Sequence, residues 1–128
     1  MSELRADTIT ASDGTSPVTL TKQSAAKVWV DKPANGASIN DSFAISSLDD
    51  DGTGDFGLNF ANSFSSANYA VLGTADDGGT ASSVVGIDTS YNTNAAGSVD
   101  LEVYYVSSAV NRTNYDFRAY VVIHGDLA

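Results

Sequence analysis

The sequence predicts an all-β protein, an antiparallel β-sandwich of about seven to eight strands, jelly-roll or Ig-like, with an extended N-terminal arm. Three observations predict it. Apolar residues alternate with period two almost everywhere after residue 27, turn residues recur between those stretches, and only "TKQSAAK" at Thr21 to Lys27 has a composition that tolerates a helix.

The first 27 residues differ from the rest. Their apolar residues are sparse (Leu4, Ile9, Val18 and Leu20) and "ASDGTSP" is loop material, so this stretch cannot close a core by itself. It is expected to be an attachment arm lying on a neighbouring subunit or partner, with an extra edge strand as the alternative; residues 28–128 are the expected β-sandwich domain.

The strands follow in order. "KVWVD" sets Val28 and Val30 against Trp29, "SFAISSL" places Phe43 and Ile45 together, and "DFGLNF" aligns Phe56, Leu58 and Phe60. "NYAVLGT" sets Tyr69 and Val71 against Ala70 and Leu72, and "SVVGIDT" offers Val85 and Ile87. In "SVDLEVYYV" one face carries Val99, Leu101, Val103 and Tyr105, with Asp100, Glu102 and Tyr104 opposite. In "DFRAYVVIH" Phe117, Ala119, Val121 and Ile123 oppose Arg118, Tyr120, Val122 and His124. A one-residue slip would invert either set, so both registers are strongly specified. Between them, "PANG", "DDDGTG", "ADDGG", "NTNAAG" and "VNRTN" carry the Gly, Asn and Asp that turns require.

Charge and composition narrow the function. The net charge is −10, and the 128 residues include no cysteine, which removes disulfides, thiolate metal sites and a cysteine nucleophile. Residues 1–32 are balanced (Arg5, Lys22, Lys27 and Lys32 against Glu3, Asp7, Asp13 and Asp31), so the whole excess lies beyond them. An acidic body repels a nucleic-acid backbone, and no apolar run approaches the roughly 20 residues that span a bilayer. Neither a nucleic-acid partner nor membrane insertion is expected. The N-terminus lacks a signal peptide's basic start and apolar stretch, so assembly in a cytoplasm is expected.

The strongest metal candidate is "LDDDGTGDFGLNF". Laid on a calcium-hand spacing, Asp49, Asp51 and Asp55 take positions one, three and seven, but the bidentate twelfth position falls on Phe60. Strand alternation resumes at once after the loop. A hairpin turn with solvated acids is therefore the expected structure, and these three aspartates remain weak calcium candidates; no cofactor is expected. The lone His124 leaves a Ser-His-Asp arrangement only one possible base, and the acids sit in Gly-rich turns rather than in apolar settings. No enzyme is expected. Tyr104, Tyr115 and Tyr120 are candidates for an interface or glycan-binding surface.

"SELRADTI", "GTSPVTLTKQSAAKVWV" and "SFAISSLDDDGTGDFGLNFANSFSSANYAVLGTA" closely resemble a family of small virion surface proteins and fibre domains of tailed bacteriophages, marine ones in particular. The resemblance covers roughly the first 75 residues, and its most specific marker is the Asp-Gly-Thr-Gly-Asp-aromatic hairpin followed by "ANYAV". The chain departs from it at "DKPANGASI", where the family often has "NGTGT". The resemblance implies a non-enzymatic virion structural protein that forms a homotrimer and contacts other capsid or tail proteins. Two versions are expected: a tail-fibre adhesin that meets a host surface glycan or receptor, which the family's usual labels favour, and a capsid decoration protein or head fibre, which the chain's shortness favours. A soluble carbohydrate-binding module is the alternative.

Overall fold

The computed structural model describes residues 12, 26–79, 84–89, 94–107 and 111–128. The arm candidates Leu4, Ile9, Val18 and Leu20 lie outside the described residues. Everything regular among them is β-strand: β1 (Val28–Lys32), β2 (Asp41–Phe43), β3 (Ile45–Gly52), β4 (Asp55–Phe60), β5 (Ala70–Asp76), β6 (Val84–Thr89), β7 (Ser98–Val106), β8 (Arg112–Asn114) and β9 (Arg118–His124). All pairings between them are antiparallel.

The strands form two sheets. One has the order β2-β1-β9-β5; the other has the order β3-β4-β7-β6, with β8 also paired to β7. β4 and β8 share one edge of β7, β4 along Ser98 to Glu102 and β8 along Tyr104 to Val106. The sheets meet on one side where β5 and β6 approach each other. On the other side the chain passes from one sheet to the other between β2 and β3.

That crossing corrects one expectation. Phe43 and Ile45 do not share the face of a single strand, because Ala44 between them takes φ 58° and turns the chain from the first sheet into the second. The corner is held by the Ala61 N–H donating to Ala44 O at 2.9 Å. Ile45 then packs on the core while Phe43 stays 56 % exposed on the outside.

The alternating residues of the other strands meet between the sheets as expected. Val28, Val30, Phe56, Leu58, Val99, Leu101, Val103, Val121 and Ile123 are nearly inaccessible to solvent. Each such side chain contributes about 1.5–3 kcal/mol relative to an exposed one, which is what holds the two layers together without a disulfide. At one end of the sandwich Phe60, Phe64 and Tyr69 close the core as an aromatic plug, with ring centroids 4.9 to 5.7 Å apart. Tyr69 anchors it by donating its hydroxyl to Ser98 O at 2.8 Å. Gly125 lies so close that a Cβ there would sit 2.7 Å from the Phe64 ring, so the plug depends on a residue without a side chain.

At the other end one polar residue is drawn into the core. Lys32 shares the inward parity of Val28 and Val30, and it is 5 % exposed. Its Nζ donates to Pro33 O at 3.2 Å and lies 5.2 Å from the centroid of the Phe56 ring. Burial pushes its pKa below the ordinary 10.5, against the opposing pull of Asp116 and Asp50.

Candidate functional site

Three surfaces carry the chemistry: the outer face of each sheet and the loops at the Lys32 end. The outer face of the second sheet is acidic because of register. Across β3, β4 and β7, Asp49, Gly57 and Asp100 lie in one row, and Asp55 stands directly opposite Glu102 in the next. Asp51 joins them, since a Cβ on Gly57 would lie 3.1 Å from Asp100 Oδ1 and 3.6 Å from Asp51 Oδ2. The hairpin reading of "LDDDGTGDFGLNF" holds. β3 and β4 flank a turn in which Gly52 and Gly54 take positive φ, while Phe56, Leu58 and Phe60 point into the core.

The calcium candidates Asp49, Asp51 and Asp55 therefore share a face, joined by Asp100 and Glu102, which sequence spacing alone could not associate with them. Among the described residues no group of three or more His, Asp or Glu side chains is arranged to hold a metal ion. Asp49 accepts instead from the Asn59 amide at 2.7 Å. Arg112 is the cation of this face: it pairs with Glu102 and with Asp88 at 3.4 Å, and its guanidinium lies 4.1 Å from the Tyr104 ring centroid.

Burial and the crowding of like charges act together on two carboxyls of this face. Burial, then Glu102, Asp51 and Asp100, push the Asp55 carboxyl above its ordinary 3.8; burial, then Asp51 and Asp49, push Asp100 the same way. A carboxyl with a raised pKa binds its proton more tightly in the folded chain, so these two groups favour folding more as the pH falls from their raised values towards 3.8. Asp31 works in the opposite sense below 3.8. Its hydrogen bond from Arg118 holds its pKa down, and the stability it contributes is lost as the pH falls through that lowered value. Asp55→Asn is expected to raise stability at pH 7 by up to about 0.5 kcal/mol, of which about 1 M salt screens the part due to Glu102, Asp51 and Asp100. Urea melts of both proteins with and without salt measure it; a less stable variant at low salt would show that Asp55 is not repelled.

The loops at the Lys32 end enclose an open cleft of about 420 Å³. Ala34 and Asn35 border it from the β1–β2 connection, Asp76 to Gly78 from the end of β5, and Tyr115 to Arg118 from the segment leading into β9. Tyr115 is 52 % exposed and rests on Phe117, ring centroids 4.7 Å apart. Arg118 grips Asp31 with both ends of its fork, Nε to Oδ1 at 2.9 Å and Nη2 to Oδ2 at 2.5 Å, and this fixes the wall opposite.

The three tyrosine candidates are not brought together. Tyr104 faces outward on the second sheet beneath Arg112, Tyr120 faces outward on the first beside Arg118, and Tyr115 stands at the cleft. Tyr115 is the one of the three that borders the cleft at the Lys32 end.

The outer face of the first sheet is different again. Phe43 on β2 stands opposite Trp29 on β1, Trp29 opposite Val122 on β9, and Val122 opposite Leu72 on β5. Four apolar side chains thus form one row across all four strands. Phe43 and Leu72 are more than half exposed, while Trp29 and Val122 are half-buried. Sequence alternation set Trp29 against Val28 and Val30, Leu72 against Val71 and Val122 against Val121, and placed Phe43 with Ile45; the alignment of the four in a row is a property of the register.

Comparison of the chain with protein-family models, with curated proteins and with solved structures gave no match.

Proposed function

We propose that the protein is a non-enzymatic structural component of a bacteriophage particle surface, attached through residues 1–27 and displaying the sandwich as a homotrimer. The observation that carries this reading is the difference between the two outer faces. One gathers Asp49, Asp51, Asp55, Asp100 and Glu102; the other presents an apolar row. A freely tumbling binding protein gains nothing from such polarity, whereas a part seated on an assembly turns its apolar face inward and its charged face to solvent. The motif resemblance of the first 75 residues supplies the kind of assembly.

Deleting residues 1–27 is expected to leave the β signature in circular dichroism intact and to abolish incorporation into purified particles. Normal incorporation of the shortened chain refutes the attachment role. Antibody labelling of particles separates the two positions: label over the head supports decoration, and label at the tail supports the adhesin. The cleft beside Tyr115 favours a second reading, a carbohydrate-binding module, because an exposed ring flanked by Asp, Asn and Arg suits a saccharide's apolar face and hydroxyls. A glycan array with bound signal, together with absence of the protein from particles, would favour it.

A further inference from the structure

We propose that the cleft beside Tyr115 is a binding site for an organic ammonium group, a charged amine on an apolar stem or ring, as borne by a lysine side chain or an amino sugar. The inference goes beyond the particle reading and stands whether or not the protein belongs to a phage.

The aromatic side of the site is rigid. Tyr115 is held at both backbone groups: its N–H donates to Val103 O at 3.0 Å, and its carbonyl accepts from the Phe117 N–H at 2.8 Å. Its ring rests on Phe117 and meets Tyr105 edge-on at a centroid distance of 6.1 Å, yet the residue stays 52 % exposed. A ring fixed in this way and open to a cleft presents its negative face to a cation with little left to order. The chain makes that pairing elsewhere. Lys32 lies over Phe56, Arg112 over Tyr104 and Arg118 over Tyr120, whereas among the described residues no cation lies over Tyr115.

Charge then selects the class of ligand. Asp76, Asp77 and Asp116 line the cleft, and Arg118 is the cation among the lining residues. That cation is engaged by Asp31 through Nε and Nη2 and stands opposite Asp76 in the pairing of β5 with β9. The other cation at this end, Lys32, is buried and drawn by Asp116 and Asp50. Carboxylates therefore outnumber cations around the cleft, which repels an anion and attracts a cation. Asp76 Oδ1 accepts from the Gly78 N–H at 2.9 Å and Asp116 Oδ1 from the Gly54 N–H at 2.6 Å, so both carboxylates are oriented in advance. A bare metal ion does not match, because among the described residues no three acids are arranged to hold one. An amine on an apolar stem uses both the rings and the charge, and the cleft's volume of about 420 Å³ is that of a small-molecule site.

Titration of the isotope-labelled full chain with n-butylammonium at constant ionic strength, followed by amide resonances in NMR, tests the site. Saturable shifts at Gly78, Tyr115 and Phe117 are expected by about 50 mM, with n-butanol and butyrate leaving these resonances in place. Tyr115→Leu and D76N/D77N are each expected to weaken binding about fivefold or more. Asparagine keeps the Oδ1 acceptors that the Gly78 and Gly79 N–H groups use, so the second variant isolates charge, and the dispersion of its spectrum shows that it is folded. An acetylated, amidated lysine and glucosamine then separate the sources: tighter binding of the first indicates a protein side chain, of the second an amino sugar, and either supports the proposal. Absence of saturable shifts with butylammonium, equal shifts with n-butanol, or undiminished binding in D76N/D77N overturns it. Glucose binding as tightly as glucosamine overturns it too, while leaving the saccharide reading of the cleft intact.

Discussion

Gly54→Ala is expected to cost about 3–5 kcal/mol, enough to remove most of the stability of a domain this size. Gly54 closes the β3–β4 hairpin at φ +69°, and a Cβ there would lie 2.4 Å from Val103 O and 2.5 Å from the Tyr115 N atom. Both contacts are backbone, so no side chain can swing aside. Three hydrogen bonds meet at this point. Val103 N–H donates to Gly54 O at 2.6 Å, Gly54 N–H donates to Asp116 Oδ1 at 2.6 Å, and Tyr115 N–H donates to Val103 O at 3.0 Å. An added methyl must therefore displace either the centre of β7 or the segment that carries Tyr115. Gly36→Ala is the matched control, because Gly36 has φ +68° with nothing within 4 Å of the added atom. It is expected to cost about 1 kcal/mol, the conformational part alone. Urea unfolding followed by circular dichroism measures both, and equal losses would mean that Gly54's close contacts relax freely.

Phe56→Ala is expected to cost a comparable 3–5 kcal/mol. The ring is inaccessible to solvent and belongs to the core between the sheets, so truncation opens a cavity that two hydrogen-bonded sheets cannot collapse. There is a second consequence. The Phe56 ring is also the apolar neighbour of the Lys32 ammonium, and water admitted to the space would solvate that charge and return its pKa towards 10.5. Phe56→Leu keeps most of the volume and is expected to cost about 1–1.5 kcal/mol. Denaturant midpoints of the two variants test this, and a loss below about 1 kcal/mol for the alanine would show that the ring is not a core element.

Much of this core was legible because strand parity is a local property. Val99, Leu101 and Val103 on β7, and Ala119, Val121 and Ile123 on β9, could be placed inside from alternation alone, and the Gly and Asp between strands marked the turns. Phe64 was not legible. It sits among serines in "NSFSSAN" with no periodic partner, yet it is 2 % exposed, because the plug at that end is assembled from a loop, a strand start and the C-terminal bridge of Phe64 to Leu127. Lys32 was half legible: parity pointed it inward, but its charge argued the other way. The break at Ala44 left no signal, since nothing in "FAI" distinguishes a strand that continues from one that changes sheets.

The candidate surfaces divide in the same manner. Asp49, Asp51 and Asp55 were visible as a local cluster, and the missing twelfth ligand already argued for a hairpin. Their partners Asp100 and Glu102 lie more than forty positions on and join them only through the pairing of β4 with β7. The row of Phe43, Trp29, Val122 and Leu72 draws on four strands scattered along the chain and exists only because their registers coincide.

The antiparallel β-sandwich, its inward residues, its turns and its acidic excess could all be read along the chain. These follow from backbone geometry, which repeats every two residues and can be read in a short window. Which acids share a face, which loops enclose the Tyr115 cleft and which outward apolar residues line up are settled by folding. Those depend on non-local hydrogen-bond register between strands, and a one-residue change in that register would rearrange them while leaving every local pattern as it is.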